Sequence, residues 1–259
     1  MEPKFKVSVA LCAHRDVKVS VWENLWSLGG CPNPKVTIRV IDGDALISRS
    51  RSRAATWFLE KTDDDLLMFI DDDVKISAFD ASTLMQEAYQ LNLPIVGAAY
   101  VTKSKNKPGF AIRPLEDKVN LMFGKEGHIY EVRSVSTGCM VIRREVLKEF
   151  VKSGKAPKCK HGEIYYYPFF QHEKMIVNGE WEDMSEDWYF TEVARKLGFK
   201  VYCDTTIKTA HIGNYEYTWD DIVEVRNGSR KIHESVNCNI GNYQICPPQE
   251  DGSKELNVA

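Results

Sequence analysis

Apolar and polar positions change rhythm several times along the chain, and each change marks an element. Phe5 to Leu11 (FKVSVAL) alternates and is rich in valine, which predicts a first strand. It runs into the polar turn Cys12-Ala13-His14-Arg15-Asp16. Trp22, Leu25 and Trp26 then recur at helical spacing as far as Leu28, where Gly29-Gly30 supplies a helix stop. Lys35 to Ile41 (KVTIRVI) predicts a second strand, closed by Asp42-Gly43-Asp44. Strand, helix, strand opens a βαβ unit, so the expected class is α/β.

Residues 45 to 60 (ALISRSRSRAATWFLE) predict a helix with a basic first half, Arg49, Arg51 and Arg53, and an apolar second half. Those arginines either make a solvated face or aim at anions, whether a phosphate or nearby acids. Leu66 to Ile70 follows. Five apolar residues are too few for a buried helix and read as a short strand covered on both faces. Asp63-Asp64-Asp65 ahead of it reads as a solvated acidic turn, while Asp71-Asp72-Asp73 stands at its C-terminal end.

Ser82 to Leu91 is an amphipathic helix through Leu84, Met85, Ala88 and Leu91, and Pro94 to Tyr100 is another buried strand. Residues 103–109 read as a basic loop, either an ordinary solvated one, the preferred reading, or a lid over an anionic ligand in which Lys103 is best placed to touch a phosphate. Val119 to Phe123 and Ile129 to Val135 look like an antiparallel pair. Ser136-Thr137-Gly138 is a small-residue turn entering a strand that hands over to a helix at Arg144, and Gly138 lets another group approach the backbone. Residues 154–180 read as irregular and aromatic, with Cys159, His161 and His172 not spaced as zinc ligands. Ser185 to Gly198 carries a cap, acids in the first turn, bases in the last and a glycine stop, which predicts a helix. Val201 to Cys203 begins a final strand, followed by Thr209-Ala210-His211-Ile212-Gly213. Past these, Trp219 to Val225 suits a short helix and residues 237–259 read as partly disordered.

Composition narrows the classes. With 259 residues, 43% hydrophobic and 27% charged, the chain suits one globular domain with a tail, divided here as 1–215 and 216–259. A net charge of -3 without a long basic window argues against nucleic acid as the main ligand. No apolar run is long enough to span a membrane, and no signal-like segment opens the chain, so a cytoplasmic protein is expected, in the host cytoplasm if viral. Seven scattered cysteines without a CxxC fit reduced thiols.

Ligands of open α/β sheets bind outside the carboxyl ends of the strands, which directs attention to Asp71-Asp72-Asp73. Asp71 and Asp73, two apart, point the same way on an extended chain and can serve one hard cation, Mn2+ or Mg2+, completed by substrate phosphates. A solvated turn would account for the triplet alone, helix capping for Glu186 and Asp187, and core packing for His211.

Taken in order, Phe69-Ile70-Asp71-Asp72-Asp73, the turn into Arg143-Arg144-Glu145-Val146, Ser185-Glu186-Asp187, Gly198-Phe199-Lys200-Val201 and His211-Ile212-Gly213 resemble nucleotide-sugar-dependent glycosyltransferases of the GT-A fold with a DXD motif. The nearest likeness is to short single-domain members from large viruses, phages and bacteria, over roughly residues 5–215. Asp44-Ala45-Leu46-Ile47-Ser48-Arg49-Ser50-Arg51 also resembles the leader of such enzymes. The resemblance implies a Rossmann-like, mixed but mainly parallel sheet flanked by helices. It places Asp71 near ribose and metal, Asp73 as main carboxylate ligand and His211 as the third. Ala10, Cys12 and His14 would border the base, Arg51 would reach the diphosphate, and Asp72, Lys103 and Gly138 would complete the donor site. Asp187 falls where inverting members keep their general base, with Glu186 orienting acceptor or base. A UDP-sugar is the favoured donor, and the acceptor is a glycan or other hydroxyl. Inversion is slightly favoured over retention, and the oligomeric state stays open. Two alternatives stand beside this reading. A sugar-phosphate nucleotidyltransferase would need a glycine-rich loop after the first strand, which residues 12–16 lack. The other is a binding module of the same fold without catalysis.

Overall fold

The structure, a computed structural model, describes residues 5–13, 16–30, 34–104, 108–116, 121–226 and 243–245. His14 and nearly all of 237–259 lie outside them. From the N-terminus the elements are β1 (Lys6–Cys12), α1 (Val19–Gly29), β2 (Lys35–Ile41), α2 (Ile47–Lys61), β3 (Leu66–Asp71), β4 (Val74–Ile76), α3 (Ala78–Gln90) and β5 (Ile95–Ala98). There follow β6 (Ile112–Pro114), β7 (Leu121–Phe123), β8 (Ile129–Val135), β9 (Cys139–Arg143), α4 (Arg144–Lys152) and two hairpins, β10 (Cys159–His161) with β11 (Ile164–Tyr166) and β12 (Glu173–Val177) with β13 (Glu180–Met184). The chain continues through α5 (Glu186–Lys196), β14 (Val201–Asp204), β15 (Thr209–Ile212), β16 (Glu216–Tyr217), α6 (Trp219–Arg226) and β17 (Tyr243–Ile245).

Eight strands form the central sheet in the order β2-β1-β3-β9-β5-β14-β8-β6. β1 is parallel to β2 and β3, and β5 to β14, whereas β9 and β8 run against both neighbours. Six strands therefore point one way and two the other, so the sheet is mixed and mainly parallel, as expected. β3 sits third from one edge with all five of its apolar residues buried. Alternate side chains feed two layers. Leu67 and Phe69 pack with Phe58 of α2, Phe150 of α4 and Phe190 of α5; Met68 and Ile70 pack with Leu25 of α1 and Leu84 and Met85 of α3.

Arg143 and Arg144 lock a helix on each side of this sheet. The guanidinium of Arg143 donates to the carbonyls of Ala88 and Tyr89 near the end of α3. That of Arg144 donates to the carbonyls of Phe58, Leu59 and Asp64 and to Thr62 Oγ1 at the end of α2. The last carbonyls of a helix have no partner within it, so each arginine supplies the donors a helix end requires.

Several expectations are corrected. Asp63-Asp64-Asp65 is a clasp between β1 and β3: Lys6 pairs with Asp63, Ser8 Oγ donates to the buried Asp64 at 2.6 Å, and the Lys6 amide donates to Asp65 at 2.9 Å. In α1 the buried stripe is Val21, Leu25 and Leu28, leaving Trp22 and Trp26 exposed. β7 pairs with β17 and not with β8, because β8 is taken up by β14 and β6. The stretch 154–180 holds three strands and the start of a hairpin partner region. Of the C-terminal extension, residues 216–226 are described next to the main body: β16 pairs with β15, and Trp219 is buried edge-on to Phe110 and Phe123.

Candidate active site

The site lies where β3 ends. Asp71 is its last residue, and Asp72 and Asp73 form the turn into β4. β4 pairs with β15 so that Val74 faces His211, and the Ile212 amide donates to the Asp73 carbonyl at 2.7 Å. This register brings a histidine from 138 positions later in the chain to the acidic turn, with Nε2 3.4 Å from Asp73 Oδ1.

The other ring nitrogen is anchored to the backbone. His211 Nδ1 lies 3.0 Å from the Val101 carbonyl, which only accepts, so Nδ1 carries a proton and Nε2 is the nitrogen turned toward Asp73. The Lys103 ammonium sits on Asp73 Oδ2. Burial alone would push the Asp73 carboxyl up, but hydrogen bonds and charge from His211 and Lys103 outweigh it and hold the group below the ordinary carboxylate range.

Asp71 is engaged differently. Arg51 Nη2 reaches both of its oxygens at 2.8 Å, and Nη1 of the same guanidinium donates to Glu186 Oε1. Arg51 is only 4% exposed on the inner side of α2, where Ser50, Ser52, Ala54 and Ala55 keep the helix close to the sheet. Burial opposes its charge, yet Asp71 and Glu186 more than compensate, so the guanidinium stays protonated. Its neighbours Arg49 and Arg53 turn to Asp44 instead. Of the two readings of the basic half of α2, the acids are its targets.

Glu186 and Asp187 occupy the first turn of α5. Glu186 Oε2 also lies 3.1 Å from His172 Nε2. Asp187 Oδ1 accepts from the Trp188 amide at 2.8 Å and from the Ser185 hydroxyl. Tyr100 stands between these groups. Its buried ring meets His211 edge-on at 4.9 Å, and burial together with the charges of Asp71 and Asp187 pushes its hydroxyl well above the ordinary tyrosine range. Gly138 makes the approach possible, since a Cβ there would come within 2.6 Å of the Tyr100 ring and 3.0 Å of Asp71 Oδ2.

The structure thus draws Asp71, Asp73, Arg51, Lys103, Gly138, Glu186, Asp187 and His211 to one end of the sheet. Asp73 and His211 face each other, whereas Asp71 is turned to Arg51, and no three His, Cys, Asp or Glu side chains among the described residues form a ready metal cluster. Arg51, for which the resemblance implied reach to the diphosphate, is held here by the carboxylates of Asp71 and Glu186. Ala10 is fully enclosed in the core. Cys12 is buried beside Ser50 and Arg51, and burial pushes its thiol up to about 11. Asp72 accepts the Lys18 amide through its carbonyl at 3.3 Å. Tyr100 and the Glu186 contact of His172 were not foreseen. Tyr100 closes the apolar run 94–100, where a polar-tipped aromatic at a strand's end was the available signal.

No family model matches the chain. No curated protein matches it. Among solved structures, A197 from STIV superposes with a TM-score of 0.54 at 19% identity, over 80% of this chain and 86% of that one. GalNAc-T7 with UDP, GalNAc and Mn2+ overlays at a TM-score of 0.49 and 13% identity, over 88% of this chain and 48% of that one, too loosely to support an inference. The likeness to A197 is one of fold. The class is therefore α/β, a large mixed sheet of GT-A type flanked by helices on both faces. Among the described residues no helix is long and apolar enough to cross a membrane.

Proposed function

We propose that this protein is a metal-dependent glycosyltransferase that moves a sugar from a nucleoside-diphosphate sugar, with UDP as the favoured nucleotide, to an acceptor hydroxyl. The observation that carries the proposal is the Asp73–His211 pair, a carboxylate held anionic with Nε2 of the imidazole 3.4 Å from it and Nδ1 anchored on the Val101 carbonyl. A divalent cation requires deprotonated ligands, and oxygen with imidazole nitrogen suits Mn2+ or Mg2+. The Val101 carbonyl is the outer partner that orients such a histidine.

When bound there, a divalent cation supplies Lewis-acid stabilisation of the departing diphosphate. The chain's own residues do the rest. Arg51 fixes Asp71 and Glu186 at set positions, Asp71 toward the ribose and Glu186 toward the acceptor. Lys103, released from Asp73, offers its ammonium to the diphosphate. Asp187 takes the proton of the attacking hydroxyl on Oδ2, because both of its described hydrogen bonds fall on Oδ1. With Asp187 as base on the face opposite the leaving group, transfer inverts the anomeric centre.

The test is a thermal-shift panel of nucleoside diphosphates and nucleotide sugars, each with Mn2+ and with EDTA, on wild type and Asp73→Ala. A metal-dependent rise with one nucleotide, absent in the variant, is expected. No shift with any of them, or a shift untouched by EDTA, overturns the proposal.

A further inference from the structure

β2 is the outermost strand of the central sheet, so one side of its backbone has no strand partner among the described residues. Beside it, α1 turns Trp22 (44% exposed), Trp26 (74%) and Val19 (73%) outward, with Val40 of β2 at 40%. Trp22, Trp26, Gly29, Gly30, Ile38 and Val40 line one groove of about 480 Å3. None of them is charged. Monomers guard open sheet edges with charge, proline or a bulge. On this face β2 shows only Val36, Ile38 and Val40, and its pairing with β1 is regular from Lys35 to Ile41. The charged Arg39 points to the other face, over Trp57.

We propose that this edge and groove form the interface of a homodimer, in which β2 pairs antiparallel with β2 of a second copy and the α1 tryptophans of the two chains close over the join. The strand is self-complementary. A twofold register centred on Ile38 sets Val36 against Val40, Thr37 against Arg39 and Lys35 against Ile41, so no like charges meet. The area suffices as well. Taking about 250 Å2 for a whole tryptophan, Val19, Trp22, Trp26, Ile38 and Val40 expose roughly 500 Å2 of apolar side chain. Doubled across the axis this is roughly 1,000 Å2 before the strand backbone is counted, about the least area that a specific interface buries. A lipid surface fits less well, because α1 (VSVWENLWSLG) carries an acid and no base, unlike helices that lie on membranes.

Sedimentation velocity of the full chain at micromolar concentrations tests the dimer. The wild type is expected to sediment as twice the 29.6 kDa chain. Trp26→Lys and Val40→Lys should each give monomer with an unchanged circular dichroism spectrum, while Trp181→Lys, at a site 72% exposed on β13, stays dimeric. A monomeric wild type, or a dimer that survives both edge variants, overturns the proposal. So does a monomer whose tryptophan emission shifts on anionic vesicles, or one that dimerises only when cut after Ile245, since these assign the groove to lipid or to the chain's own C-terminal segment.

Discussion

Replacing Arg51 by methionine tests how the site is held together. The guanidinium is buried and joins α2 to β3 and α5 by contacts with Asp71 and Glu186. Removing one partner of a buried ion pair strands the other charge and typically costs about 3–5 kcal/mol, whereas an exposed pair contributes about 0–1 kcal/mol. Here two carboxylates are stranded, one 19% and one 10% exposed at the side chain, so the upper figure of about 5 kcal/mol is discounted for partial solvation to about 4 kcal/mol. For a chain of this size that corresponds to a melting temperature lower by roughly 8–16 °C. Urea unfolding followed by far-ultraviolet circular dichroism at neutral pH measures the difference. A second arm guards against a mere packing defect. The stranded carboxylates can discharge by taking up protons, so the gap between variant and wild type narrows as pH falls toward 5. Adding Asp71→Asn and Glu186→Gln to Arg51→Met should recover part of the loss at neutral pH. A single variant within about 1 kcal/mol of wild type, the value of a surface pair, would refute the buried clamp. A gap independent of pH and unrelieved in the triple variant would assign the loss to packing.

Asp73→Ala and His211→Ala are each expected to abolish the Mn2+-dependent thermal shift by a nucleotide while leaving the unliganded melting temperature within a few degrees, which the same scan reads. Asp187→Asn keeps the shape of the side chain and should retain that shift but lower transfer by roughly 100-fold or more, the usual contribution of a general base; transfer at the wild-type rate would remove Asp187 from that role. Gly138→Ala forces a methyl against Tyr100 and Asp71 and should cost about 1–3 kcal/mol in urea unfolding along with weaker nucleotide binding. Burial and the neighbouring charge of Asp204 push Glu87 up to about 8, and its proton satisfies an acid pair in which Glu87 Oε2 and Asp204 Oδ2 otherwise lack donors. The folded state holds that proton more tightly than the unfolded chain, so this stability is present below the ordinary value of 4.5 and is lost as pH rises toward about 8. Wild type should lose roughly 2 kcal/mol across that window after discounting for solvent, and Glu87→Gln should flatten the melting profile.

Elements buried on both sides or signed at their ends were legible in the chain. β3 shows as a bare apolar run because both of its faces are covered, and α5 shows through its acids, bases and Gly198, which adopts φ 91° where the helix stops. The two hairpins between 159 and 184 did not show. Their strands, CKH, IYY, EKMIV and EWEDM, are mostly exposed, so no apolar face imposes the period of two. In α1 two apolar stripes compete, Val21-Leu25-Leu28 and Val19-Trp22-Trp26. Periodicity finds both and does not say which one covers the sheet.

The acids of the site were legible, and so were Arg51, Lys103 and His211 as candidates; which of them meets which acid was not, because the pairs arise through register. Parallel pairing of β1 with β3 and the packing of α2 bring Arg51 to Asp71, and the β4–β15 ladder brings His211 to Asp73. Once those pairs are drawn, the four acids cease to be equivalent. Asp71 and Glu186 share one buried guanidinium, and Asp73 has an ammonium and an imidazole. Asp187 alone among them has no cation within ion-pair distance among the described residues, being held by an amide and a hydroxyl. In the proposed reading an acid committed to an arginine serves as scaffold, and the one facing the imidazole Nε2 serves as ligand. The acid left without a cation, oriented through one oxygen and anchored at a helix N-terminus, is the one whose arrangement suits receiving a proton. The division of labour proposed for this site follows from who pairs with whom, a property of the sheet's register that no local stretch of the chain contains.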